Sequence, residues 1–119
     1  LCDDGADSST IKPKNYTDTI SIKTITLDKI ISETSFDKIK LIKIEAEGAE
    51  PEVLKGLKKS YSKVEYIVID VSNERGVNED YTITECTNIL LNNNFKFEKF
   101  FIEGNKNSRV SVLYKNNLI

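Results

Sequence analysis

The chain has no histidine and no methionine, and only two cysteines among its 119 residues. Without imidazole a zinc site is close to excluded, because Cys2 and Cys86 have no metal-ligand spacing and no nitrogen ligand to join them. The two thiols read as free groups in a reducing cytosol. A dominant charge is lacking too. Seventeen basic and 19 acidic residues leave a formal charge of −2, with both signs scattered. No basic stripe offers itself to a phosphate backbone, so nucleic acid is not an expected partner. No apolar run is long enough to span a bilayer, and no signal-peptide pattern appears, which points to a cytoplasmic protein. The missing methionine, with Leu1 at the start, makes a larger parent protein the expectation.

What is present is an alternation of strands and helices. The length suits one hydrophobic core, with residues 1–19 as a polar loop and 20–119 as an α/β core. Asp3, Asp4 and Asp7 fit no calcium-loop spacing and read as a solvated acidic loop. Ile20, Ile22 and Ile25 alternate with polar residues, which predicts a strand over 19–27. Thr26 then suits the N-cap of a helix over 27–35. A strand over 39–46 leads to a helix with Pro51 in its first turn and a buried stripe of Val53, Leu54, Leu57 and Tyr61. Gly56 reads as the place where that helix lies close on a sheet. Residues 65–71 are almost continuously apolar, the pattern of a parallel strand covered on both faces. After a polar loop, Thr82 and Glu85 have capping-box spacing at the start of a helix running to Leu91. Two β-rich runs flanking Gly104 make a hairpin. Strand–helix alternation implies a right-handed parallel sheet, and the hairpin adds one antiparallel strand at its end.

The stretch LIKIEAEGAEPEVLKG, residues 41–56, departs from the apolar pattern of a central strand. Lys43, Glu45 and Glu47 fall on one side of the strand for as long as it stays extended. Open α/β sheets bind ligands beyond the carboxyl ends of their strands, which here means residues 45–49 and 70–74. Without histidine, the available bases are carboxylates and lysines. The structural alternative is that Lys43 and Glu45 form an ion pair, that Glu47 or Glu50 caps the next helix, and that Asp70 caps a strand end. Ser8 and Ser9 then belong to a solvated loop.

The order of elements is similar to the second half of a class I methyltransferase sheet, which is doubly wound, seven-stranded and ends in an antiparallel strand. More specifically, the sequence resembles the FkbM-type methyltransferase family. The matching residues are Thr24 to Asp28, Leu41 to Glu50, and Val53 to Gly56. They follow a pattern of roughly T-x-x-L-D, L-x-K-x-D-x-E-G-A-E and V-L-x-G. Asp7, Ser8 and Ser9 resemble a serine pair found upstream of this region. Glu45 stands where the family usually has aspartate, which moves its carboxylate outward by one methylene.

The resemblance implies a Rossmann-like fold and S-adenosylmethionine as cofactor, with a sugar or other small-molecule hydroxyl as methyl acceptor. It implies Glu45, Glu47 and Lys43 as groups that hold or deprotonate that hydroxyl, with Lys43 balancing charge. Asp70, Asn73 and Glu74 are then substrate-binding, and Ser8, Ser9 and Gly48 lie on the cofactor side. The family's glycine-rich turn and ribose-binding acid are missing, so the main cofactor pocket is expected outside this chain. A half sheet leaves the 39–46 strand as an open edge, which should either self-associate or be covered by the 20–27 strand. The competing readings are a non-catalytic α/β binding or assembly domain derived from a methyltransferase, and a receiver-like phosphoacceptor domain.

Overall fold

The computed structural model describes residues 8–104 and 109–119. Cys2, the acidic residues Asp3, Asp4 and Asp7, and the hairpin loop at 105–108 lie outside them, as do the expectations attached to those residues.

Strand β1 (Ile39–Ile44) and strand β2 (Val64–Asp70) pair in parallel, in register from Ile39 opposite Val64 to Ile44 opposite Ile69. The crossover between them carries helix α2 (Glu50–Lys55) and a 3₁₀ turn at Tyr61–Lys63. Helix α3 (Ile83–Leu91) leads into strand β5 (Phe95–Glu103), which folds back as strand β6 (Arg109–Asn116). Strand β6 inserts between β2 and β5, giving the order β1-β2-β6-β5. Both of its pairings are antiparallel, so β5 points the same way as β1 and β2. The sheet is therefore mixed, and the expectation of a reversed strand at its end is corrected: that strand is interior. A short hairpin loop cannot make a parallel crossover. The returning strand must run backwards, and it takes the side where Val112 and Tyr114 are fully buried.

The segment at 19–27 does not form the expected strand. Residues 18–26 join no ladder, and Ile20 and Ile22 stay about 60% exposed, at 62% and 60%. The open edge of β1 is thus not covered by this segment, and Leu41 is 51% exposed. Thr26 does cap helix α1 (Leu27–Ser32), its Oγ1 accepting from the Lys29 N–H at 3.2 Å. The first turn of α1 packs on the end of α2. Asp28 N–H donates to the Gly56 carbonyl at 2.8 Å, and the Asp28 carboxylate accepts from Lys59 N–H. A Cβ on Gly56 would lie 3.5 Å from Thr26 Cβ. The neighbour of Gly56 is therefore the start of α1, at ordinary contact distance, and not the sheet as the sequence suggested.

Two smaller expectations also change. The polar loop after β2 contains a two-stranded ribbon, β3 (Asn73–Arg75) with β4 (Asp80–Tyr81). The capping box of α3 does not close. Thr82 makes no side-chain cap bond, and Glu85 instead meets Lys55 at 2.8 Å. Backbone geometry explains this, since Thr82 takes helical φ and ψ of −91° and −5° where an N-cap residue is extended.

All three helices contribute to one core, which joins Ile31, Leu54 and Leu90 to Ile44, Ile67, Ile69, Val112 and Tyr114 of the sheet. Alternation places Leu41, Tyr66, Val68 and Leu113 on the opposite face, where none of them is fully buried. Its cross-strand rows run Leu41–Tyr66–Lys115–Lys96 and Lys43–Val68–Leu113–Lys99. Lys40 and Lys115 stand over the Tyr66 ring at 5.2 and 5.8 Å. One face of the sheet is a helix-packed core, and the other is an apolar floor dressed with lysines.

Candidate functional site

The turn after β1 decides where the charged residues go. Regular strand ends at Ile44, and Glu47 and Gly48 both take positive φ, 48° and 90°. A left-handed glutamate is uncommon, and here the surroundings enforce it. Glu50 is 1% exposed, and its Oε1 accepts from Ala46 N–H at 3.0 Å and Gly48 N–H at 3.1 Å. These buried donors would otherwise be unpaired at a cost of about 1–3 kcal/mol each. Glu50, the residue the structural alternative named as a cap, thus braces the turn that precedes its own helix.

Strand β3 closes on the same turn from the other side. A Cβ on Gly48 would sit 2.6 Å from Arg75 Cα and 2.7 Å from the Glu74 carbonyl oxygen. Arg75 donates to the Gly48 carbonyl and forks onto the Glu52 carboxylate at 2.9 and 2.8 Å. That bond holds Glu52 below the usual carboxylate range. The close approach that Gly48 permits is occupied by protein backbone.

The three charges singled out in the sequence separate. Lys43 and Glu45 pair with each other at 2.6 Å, with side chains 60% and 44% exposed. Such a pair contributes at most about 1 kcal/mol. Glu47 is carried past the strand end by its left-handed turn and joins a different group, made of Glu74, Asp70 and Glu50. Asp70 is 5% exposed, and its Oδ1 accepts from the N–H and hydroxyl of Ser72. The Ser72 hydroxyl oxygen accepts in turn from Val110 N–H at 2.9 Å, so Asp70 locks β2 to β6. Asn73 is exposed at the start of β3. Ser9 donates its hydroxyl to the Glu47 carbonyl at 2.6 Å and accepts from Ile11 N–H at 3.0 Å, which pins residues 8–11 onto the turn. Ser8 and Ser9 also line a cavity bounded by residues 8–24.

Glu74 is the group whose chemistry this arrangement changes most. Burial, and then the charges of Glu47, Asp70 and Glu50, push its carboxyl up from 4.5 to about 7, against a smaller opposing pull from Arg109. A carboxyl poised near neutrality can take a proton from a hydroxyl and release it again. The sequence marked Glu74 as a substrate contact by its position after β2. It gave no sign of the shift, which arises first from desolvation and then from Glu47, Asp70 and Glu50, of which only Asp70 is near in sequence. Among the described residues no group of three or more acidic or thiol side chains is placed to hold a metal ion. Cys86 is buried, and burial pushes its thiol up to about 12, so it is inert.

The model of the methyltransferase FkbM domain matches residues 3–97 of the chain. No curated protein and no solved structure matches it.

Two outcomes test this geometry. Gly48→Ala should destabilise the fold by at least about 2 kcal/mol through left-handed strain and collision with β3, read as a lower urea midpoint; a wild-type midpoint would contradict it. The second concerns pH. Because the folded-state pKa of Glu74 is raised, its contribution to stability is full below about 4.5 and is lost as pH rises through about 7. Glu74→Gln should therefore melt higher than wild type at pH 8, and that advantage should shrink at pH 5. An equal difference at both values would show that Glu74 titrates normally.

Proposed function

The chain belongs to the FkbM methyltransferase domain family, and on that premise we propose that it is the substrate-side portion of an S-adenosylmethionine-dependent O-methyltransferase of a sugar or other small-molecule hydroxyl. The observation that carries this reading is the Glu74 carboxyl, held half-buried among Glu47, Asp70 and Glu50 at the carboxyl ends of β1 and β2. Those strand ends are where open α/β sheets receive ligands.

S-adenosylmethionine supplies an electrophilic methyl group on a sulfonium sulfur. Gly48 and Gly104 each follow a strand of the main sheet at this end, and β3 fills the space beside Gly48. The cofactor-binding half is therefore assigned to polypeptide beyond these residues, and Ser8, Ser9 and Gly48 serve the cofactor side by shaping the turn beneath it. Two features support the assignment: the open edge of β1 and the sheet face that no described helix covers. The codirectional β1, β2 and β5 with β6 reversed between them are compatible with the second half of a Rossmann-like sheet. A buried, unreactive Cys86 suits a protein working in the reducing cytosol.

Within this reading Glu74 accepts the hydroxyl proton as the oxygen attacks, Glu47 keeps the Glu74 carboxyl basic, and Asn73 contacts the acceptor. Lys43 and Glu45 fix the end of β1, and Asp70 positions the β3 ribbon. The test uses the product of the whole reading frame that encodes this chain. It should bind S-adenosylmethionine in calorimetry and transfer a labelled methyl group to a hydroxylated acceptor. Glu74→Gln should lower kcat at least about a hundredfold, with a smaller change in KM, and should remove an acid limb near pH 7. Absence of S-adenosylmethionine binding overturns the methyltransferase reading, and unchanged turnover in the variant removes Glu74 from the chemistry.

We further propose that the isolated chain self-associates through its open edge and bare face. Sedimentation should show concentration-dependent dimers that Leu41→Lys weakens. A monomer at every concentration would overturn this.

A further inference from the structure

The exposed isoleucines of the failed strand have a second role. They help to wall a cavity of about 690 Å³ formed by residues 8–24, within the range of small-molecule sites. The loop that bounds it is anchored at several points. Ser9 holds the Glu47 carbonyl, Lys14 meets Glu79 at 3.3 Å, and Thr26 caps α1. Ile11 and Lys12 also lie alongside Gly76 of the β3–β4 ribbon, within 4.0 Å of a Cβ placed there. The cavity thus abuts the turn that carries Glu47 and faces Glu74.

Its lining selects a ligand class. Thr10, Thr19 and Thr24 line it, beside Ser8 and Ser9, and the Ser9 hydroxyl is already bonded to Glu47 and Ile11. Hydroxyls both donate and accept, so they match ligand hydroxyls in either sense. A wholly apolar ligand would leave such groups unpaired, at about 1–3 kcal/mol for each one buried. Tyr16, Ile20 and Ile22 supply an apolar wall, and all three are substantially exposed in the empty cavity, at 46%, 62% and 60%. Among the described lining residues Lys12 and Asp18 are charged, and they carry opposite signs. Lys12 is further drawn over the Tyr16 ring, 5.7 Å from its centroid. One cation is too few for phosphate recognition, which relies on several charge-assisted bonds.

We infer that this cavity binds a neutral, polyhydroxylated ring, with its apolar face against Tyr16, Ile20 and Ile22 and its hydroxyls met by the threonines. Binding stands on the cavity alone. Only the role of the bound molecule as methyl acceptor rests on the function proposed above.

The test is amide and side-chain NMR of the chain, titrated with the methyl glycosides of glucose, galactose, mannose and rhamnose. Glucose 6-phosphate and cyclohexanol serve as charged and poorly hydroxylated comparisons. At least one glycoside should shift the Thr10, Thr19 and Thr24 amides and the Tyr16 ring, and should bind more tightly than either comparison. Tyr16→Ala should weaken binding about tenfold with the core resonances unmoved, while Tyr16→Phe retains it. No shift of these residues with any glycoside overturns the inference. So does equal or tighter binding of either comparison compound, or undiminished binding in a folded Tyr16→Ala chain. A null here, with S-adenosylmethionine binding intact in the whole product, leaves the methyltransferase reading standing. Glycoside binding without S-adenosylmethionine binding does the reverse.

Discussion

A single carboxylate, that of Glu50, fixes the turn on which the rest of the candidate site is assembled. It is buried at the first position of α2, yet it reaches back to the N–H groups of Ala46 and Gly48. Two left-handed residues in succession would not persist in a free chain, because the first is a glutamate with a Cβ to accommodate. Bonding to Glu50 offsets that strain and sets the direction in which α2 leaves the sheet. Pro51 adds to the effect, since its ring suits the first turn and no N–H is lost. Once the turn is fixed, β3 can lie directly on Gly48, and Arg75 closes the contact by bridging the Gly48 carbonyl to Glu52. The Glu50 Oε2 atom is buried with no hydrogen-bond partner among the described residues. A carboxylate used so fully on one oxygen, with the other enclosed, is tolerated because the two bonds it makes are charge-assisted.

The crowding of acids follows from that closure. Bringing β3 onto the turn places Glu74 near Glu47, Glu50 and Asp70. Arg75, the nearest strong cation by sequence, forks onto Glu52 and so turns away from its neighbour Glu74. Arg109 relieves only part of the repulsion. Like charges gathered in a half-buried place favour a proton on one of them, and the most desolvated without a dedicated donor is the one to take it. Asp70 is met by two donors from Ser72. The division of labour among these carboxyls therefore comes from their hydrogen-bond partners and not from their residue types.

Much of the architecture was legible in the sequence, and the failures have physical causes. The β1–α2–β2 crossover and the β5–β6 hairpin were readable because periodicity, Pro51 and Gly104 all agree there. The family was readable from K-x-E-x-E-G-A-E, whose spacing is set by the turn just described. The strand at 19–27 was misread because alternation reports two-sidedness, not pairing. Ile20 and Ile22 alternate along an extended segment that walls a cavity and has no neighbouring strand. The reading that Lys43, Glu45 and Glu47 share a side rests on an extended strand, whereas regular strand ends at Ile44 and Glu47 takes a positive φ. The capping box at Thr82 failed because Thr82 already has helical φ and ψ, which turns its hydroxyl away from the first-turn N–H groups. The shift on Glu74 could not be read at all, since every charge that causes it is remote in sequence except Asp70.

The bare face of the sheet is the other consequence of the chain's design. Strand β2 is apolar on both sides, as a strand with two covering layers should be, yet the three helices among the described residues cover only one. Leu41, Tyr66, Val68 and Leu113 would form a continuous apolar surface if nothing interrupted them. Lysines at 43, 96, 99 and 115 flank that surface in the cross-strand rows, and Lys40, Lys99 and Lys115 lean over aromatic rings. A lysine can lay its methylene stem along an apolar floor and keep its ammonium in water, so it screens the floor without closing it. An arginine or a glutamate network would cover the same area less reversibly. The lysine dressing therefore screens the apolar face without closing it.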